Sequence, residues 1–209
     1  MRRLFLHIGM SLDGYVGDDA GLPALPQFTD DEFQRYIDEM LESIDGMVYG
    51  RVAFEQLAAY WPNAGPEVSP VQVRKMHELP KYVLSRTLKD TEWHNSHMLG
   101  DDPAGAIAEL KQQDGRDLAL FAGASAATSA IALGVVDELR IIVNPALLGG
   151  GTRLFDGQYP RSELQLTDTH RFASGALIYP GKRGVVALGS GGVGGPEVVG
   201  FVVGRGEHP

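Results

Sequence analysis

Residues 118–155 constrain this chain more than any other stretch. An apolar strand, Leu118-Ala119-Leu120-Phe121, runs into the small-residue turn Ala122-Gly123-Ala124-Ser125 and then into a helix reaching Leu133, where Gly134 stops it. A second strand, Leu139 to Val143, follows and ends at Pro145 and the triple glycine Gly149-Gly150-Gly151. A strand that turns on glycine straight into a helix leaves the first helical N–H groups unpaired and aimed outward, which suits phosphate. A phosphate-bearing cofactor is therefore the first expectation.

The rest of the chain repeats the alternation. Arg3 to Met10 reads as a strand closed by Ser11-Leu12-Asp13-Gly14, with Tyr15-Val16-Gly17 entering a loop. Thr29 with Glu32 forms a capping box, and Phe33, Tyr36, Ile37, Met40, Leu41 and Ile44 then recur at helical spacing. Met47-Val48-Tyr49 is a short strand before Gly50-Arg51 and a helix to Trp61. Ser69-Pro70 opens a helix, Lys81 to Leu84 is a strand, and Asp102-Pro103 opens another helix. Such alternation predicts a three-layer α/β/α fold with a mostly parallel sheet. Strands at Leu164–Thr169 and Gly175–Tyr179, with no helix between them, predict an antiparallel addition at the edge. Residues 1–180 read as one domain and 181–209 as a glycine-rich extension.

Composition excludes whole classes of function. The formal charge of −9 argues against nucleic acid as a partner, since phosphate backbones recruit patches of lysine and arginine. The absence of cysteine removes disulfides, thiolate nucleophiles and cysteine zinc sites, and fits a reducing cytoplasm. Arg2-Arg3 superficially resembles an export signal, but the apolar run after it breaks at His7 and Gly9. No segment is long enough to span a membrane.

Three strand-end turns line up as one cofactor cleft: Gly50-Arg51, Ser85-Arg86-Thr87 and Ala122-Gly123-Ala124-Ser125. Ligands of open α/β sheets gather at such ends. Arginine offers a planar fork, serine a hydroxyl and the glycine turn backbone amides, a set that suits NADPH. Rival motifs fail. Gly123-Ala124-Ser125-Ala126-Ala127 lacks the closing glycine of a nucleophile elbow, and the glycine run 189–194 follows no strand. His94 and His97 lack a third metal ligand, so no metal is expected.

Ser11-Leu12-Asp13-Gly14, Tyr49-Gly50-Arg51 with Phe54-Glu55, and Lys81 to Leu88 together resemble the dihydrofolate-reductase-like superfamily. Leu133 to Leu139, Pro145 to Gly151 and Leu154-Phe155 resemble its riboflavin-biosynthesis reductase branch, over residues 2 to about 180. The resemblance implies a dihydrofolate-reductase-like sheet, NADPH as cofactor, a small-molecule substrate and a homodimer paired through sheet edges. It implies that Gly50 and Arg51 meet the adenosine phosphate, with Ser85 and Arg86 in the same region. Gly123, Ala124, Ser125 and Ala126 match the pyrophosphate turn, although the family often has paired glycines there. Asp13 matches a strand-end aspartate beside nicotinamide and substrate, a candidate catalytic group, with Ser11 beside it. No inward carboxylate is evident around Phe33-Gln34-Arg35, which argues against dihydrofolate. The reaction so implied is reduction of 5-amino-6-(5-phosphoribosylamino)uracil, with a pterin second and a non-catalytic nucleotide-binding homodimer as the rival. Arg140 and Arg153 are candidates to converge on a phosphorylated substrate.

Overall fold

The structure is a computed structural model that describes residues 1–19, 30–157, 159 and 162–183. Its strands are β1 (Leu4–Ser11), β2 (Tyr15–Gly17), β3 (Ile44–Gly50), β4 (Lys81–Leu84), β5 (Ser96–Met98), β6 (Asp117–Phe121), β7 (Glu138–Asn144), β8 (Thr152–Arg153), β9 (Leu164–Leu166), β10 (His170–Arg171) and β11 (Leu177–Arg183). Its helices are α1 (Asp31–Glu42), α2 (Arg51–Tyr60), α3 (Pro70–Glu78), α4 (Pro103–Gln112) and α5 (Ala124–Ala132). The main sheet runs β10-β11-β7-β1-β6-β3-β4-β5, with β9 paired to β11. From β7 to β5 every pair is parallel, and β11 meets β7 antiparallel. This is the expected three-layer, mostly parallel mixed sheet with antiparallel strands at its C-terminal edge.

Alternation along the central strands sorts the core into two layers. Leu4, Leu6 and Ile8 of β1 join Leu118, Leu120 and Ile141 under Ile107 and Leu110 of α4 and Ala127, Ala130 and Ile131 of α5. Phe5, Met47, Tyr49 and Ala119 face the other way, against Met40 and Leu41 of α1, Phe54 of α2 and Met76 of α3. Each fully buried Leu or Phe of this kind contributes roughly 1.5–3 kcal/mol.

The second layer also carries a run of rings across the sheet. His7 stacks on Tyr36 at 5.8 Å and meets Phe121 edge-on at 5.7 Å, and Phe121 stacks on Tyr49 at 5.7 Å. Burial among these rings, with the Arg140 cation adding to it, pushes the His7 pKa down to about 4.

Local structure departs from the sequence reading in identifiable places. The α1 stripe ends at Glu42, because Ser43 turns its N–H back to the Glu39 and Met40 carbonyls, and Ile44 opens β3. Asp30 caps α1 by accepting from the Phe33 N–H at 2.7 Å. The Thr29 half of the expected capping box lies outside the described residues, as does the glycine run 189–194. Tyr15–Gly17 is a strand rather than the start of a loop, because β8 pairs with it. Asn95 makes the expected turn, at φ 58°, but Ser96 already belongs to β5. β9 stops at Leu166, its ladder with β11 running from Gly181 to Arg183, and the Thr167 N–H closes it with one further bond to the Pro180 carbonyl at 3.0 Å. β11 itself extends past the boundary expected at residue 180. That edge bears exposed Leu164, Leu166 and Tyr179.

β4 and β5 are tied down by one buried cation. Lys81 is fully buried, and its Nζ donates to the carbonyls of Leu79 at 2.8 Å and of His77 and His94 at 3.0 Å. Lys81→Met keeps the volume and strands three acceptors, so urea unfolding should show a loss of about 3 kcal/mol. A second prediction follows from His7, whose native pKa lies below the ordinary 6.5. The unfolded chain binds more protons between pH 6.5 and 4, so stability falls as the pH drops through that window, by ~3 kcal/mol in all. His7→Leu should flatten that limb of the stability–pH curve.

Candidate functional site

β3 and β6 are parallel neighbours, and each passes at its C-terminal end directly into a helix. Gly50 is the N-cap of α2 and Gly123 the N-cap of α5, and neither helix has a side-chain cap. The other three helices are capped by Asp30, Ser69 and Asp102. The two uncapped ends, with their free N–H groups and positive dipole ends, border one cavity of about 480 Å³.

That cavity gathers Gly50, Arg51, Gly123, Ala124, Ser125 and Ala126, six of the residues singled out from sequence. The two glycines do different work. A Cβ at position 50 would lie 2.5 Å from the Ala126 Cβ, so Gly50 is what lets α5 pack against the end of β3. A Cβ at position 123 would meet nothing within 4 Å, so this glycine keeps the cavity mouth open rather than serving packing. The Ala126 methyl sits against the space that Gly50 leaves. Arg51 is half exposed, and its Nη1 lies 3.1 Å from both carboxylate oxygens of Glu55.

Ser85 and Arg86 stand beyond Leu84, which lines the cavity, but they are not part of the lining themselves. The Ser85 Oγ accepts from the Thr87 and Leu88 N–H groups, closing its own turn. Ser11 and Asp13 lie at the end of β1, also outside the lining. The Asp13 carboxylate accepts from the Ser11 hydroxyl at 2.6 Å, the Leu148 N–H at 3.1 Å and the Gly149 N–H at 2.8 Å. The Ser11 hydroxyl and the Gly149 N–H hold its pKa down at about 2. Asp13 is thus anionic at neutral pH and staples the β1 turn to the triple-glycine loop, which leads into Thr152 of the cavity wall. Arg140 and Arg153 do not converge. Arg140 lies over Phe5 at 3.6 Å and is bound to Glu138, whereas Arg153 lies over Tyr15 at 4.6 Å.

The sequence reading missed the apolar end of the cavity, formed by Leu84, Pro103, Ile107, Leu133 and Val135 with Ser129. These come from β4, α4, the end of α5 and the loop after it, and carry no motif. Only the helical spacing of Ser125, Ser129 and Leu133 along one face of α5 hinted at it. Among the described residues no group of three or more potential metal ligands occurs. His94 stacks on His77 and His97 on Tyr82. Among the same residues no helix is long and apolar enough to cross a membrane.

The two glycines make a contrasting pair for mutation. Gly50→Ala forces α5 off β3 and should cost roughly 1–3 kcal/mol in chemical denaturation. Gly123→Ala should leave the unfolding midpoint nearly unchanged while placing a methyl at the cavity mouth.

Residues 2–178 match the model of the RibD C-terminal domain family. The Bacillus subtilis protein YyaP is 32% identical over 178 residues, covering 84% of this chain and 92% of its own length. Among solved structures, a putative riboflavin biosynthesis protein from Shewanella sp. PV-4 superposes with a TM-score of 0.66 at 21% identity, covering 88% of this chain and 99% of its own. The riboflavin biosynthesis reductase Rib7 of Saccharomyces cerevisiae gives a TM-score of 0.56 at 15% identity, covering 88% and 90%. It shares its fold with these two proteins, and by the family match over residues 2–178 the chain belongs to the RibD C-terminal domain family.

Proposed function

We propose that the protein is an NADPH-dependent reductase of a pyrimidine or pterin-like heterocycle. The observation that carries this reading is the convergence of two uncapped helix N-termini on one cavity, with Arg51 at its lip and no side chain at Gly123. Backbone N–H groups at two helix ends suit a pyrophosphate. A guanidinium beside them suits a further ribose phosphate, and the apolar slot between Pro103, Ile107 and Leu133 suits a flat adenine. The residues present therefore fit this cofactor.

When bound, NADPH supplies a hydride, which adds to the electrophilic carbon of a C=N or C=O bond while the heteroatom takes a proton. The chain's part is to align donor and acceptor and to exclude water. Asp13, ionised and fully engaged, does not deliver the proton at neutral pH. Its role in this reading is to hold the 145–151 loop, and with it Thr152, against the cavity. The best-supported reaction is that of the riboflavin branch, reduction of 5-amino-6-(5-phosphoribosylamino)uracil. Support comes from the family match and from the fold shared with Rib7, a riboflavin biosynthesis reductase.

A melting-temperature titration tests the cofactor first. NADPH should raise the Tm, since a ligand that binds only the native state stabilises it. Arg51→Ala should weaken NADPH about tenfold, the size of one lost charge-assisted hydrogen bond, and leave NADH nearly unchanged. Equal losses for both nucleotides would remove the phosphate contact from the reading. If NADPH binds but is not oxidised by any pyrimidine or pterin offered, a nucleotide-binding protein without turnover is the surviving description.

A further inference from the structure

The cavity is polar at one end and apolar at the other, and a hydroxyl interrupts the apolar end. Gly123 and Ser125 stand at the start of α5, beside Arg51 at the start of α2. The slot beyond them is walled by Leu84, Pro103, Ile107, Leu133 and Val135, whose side chains carry no polar atom. Among the described residues lining this end, Ser129 is the one polar side chain. It lies a helical turn after Ser125 and a turn before Leu133, on the same face of α5. The six residues from Gly123 to Ser129 span about 9 Å along the helix axis. A base whose phosphates sit at Gly123 therefore brings its far edge to Ser129.

The Ser129 hydroxyl is already committed as a donor. Its Oγ donates to the Ser125 carbonyl at 2.8 Å, one turn back along the helix. A serine hydroxyl has one hydrogen and two lone pairs, so what it turns to the slot is an acceptor. Offering the hydrogen to a ligand would give up the bond within α5. The walls around it are held in place as well. Lys111, in the last turn of α4, donates from Nζ to the Val135 carbonyl at 3.2 Å and to the Asp137 carboxylate at 2.7 Å. These bonds tie the end of α4 to the chain that follows α5, and so join the two sides of the slot.

We propose that Ser129 reads the base, its lone pair accepting from the exocyclic amino group of an adenine and disfavouring a purine with a carbonyl oxygen at that position. Hypoxanthine has the same size and flatness, but it presents an acceptor there and carries its hydrogen on the neighbouring ring nitrogen. Phosphates anchored at the helix ends and fixed walls keep the base from sliding until that hydrogen meets Ser129. Acceptor then faces acceptor, with apolar side chains on either hand and water displaced by the base itself. A site that pairs with one polar group rejects an analogue lacking it more sharply than an apolar pocket rejects a change of size. The apolar walls serve both bases equally, so the selection falls on one oxygen. That the adenine belongs to NADPH rests on the proposed function above, whereas the selection itself needs only a diphosphate with a purine base.

ADP and inosine diphosphate, which carry no nicotinamide, are titrated by calorimetry against the full chain, and the NADPH-induced Tm shift is recorded on the same variants. ADP should bind the unmodified protein about five- to tenfold more tightly than inosine diphosphate, the size of one net hydrogen bond. Ser129→Ala introduces a better helix former on an exposed face, so the fold should be kept. It should weaken ADP to the level of inosine diphosphate without weakening the latter. Leu133→Ala, which trims an apolar wall, should weaken both by the same factor and preserve their ratio. Equal binding of the two nucleotides to the unmodified protein, binding of neither, or a preference that survives in Ser129→Ala overturns the assignment. If the preference is lost as expected while NADPH gives no Tm shift, Ser129 stands as the base reader of an adenine-nucleotide site and the cofactor assignment falls.

Discussion

The close approach of α5 to the end of β3 governs the architecture of the site. β3 and β6 run parallel and adjacent, so the helices that follow them start at the same edge of the sheet. Those starts can share a cavity only if the second helix leans over the first strand, and the Gly50–Ala126 contact permits it. A larger residue at either position would separate the two helix ends and split one concentration of backbone donors into two ordinary solvated termini. The catalytic reading depends on that packing more than on any single polar side chain.

Around this contact the rim is fixed by polar groups that do no chemistry themselves. Lys81 gathers three carbonyls at the start of β4 and holds β4 and β5 in place on one side, the far end of β4 bringing Leu84 to the cavity wall. Asp13 collects the Ser11 hydroxyl and two loop amides at the other side. A carboxylate with so many donors is a staple, and the depressed pKa follows from the same bonds. A strand-end aspartate thus has a structural use that its position alone does not reveal, because the partners at 148 and 149 are more than 130 residues away in sequence.

Much of the fold was legible in local pattern. The helical stripe of α1, the proline-led starts of α3 and α4, and the strand–turn–helix units at Gly50 and Gly123 are all short-range signals, and each appears where its residues imply. The errors came where a distant partner decides. Tyr15–Gly17 is a strand only because Thr152–Arg153 lies beside it, and Ile44 fits a helical stripe as well as the strand it opens. The site divides the same way. The phosphate-facing turns carry motifs, whereas the apolar slot of Pro103, Ile107 and Leu133 does not.

The amino-acid sequence by itself determined the alternation of strands and helices, the layers each strand feeds, and the glycines at two helix starts, because periodicity and turn chemistry act within a few residues. Only the tertiary structure decided which of those turns share a cavity, that Asp13 is spent on a loop, and that the Ser129 hydroxyl faces an otherwise apolar slot. Those outcomes depend on which strands become neighbours, and burial and hydrogen-bond satisfaction are properties of surroundings assembled from the whole chain.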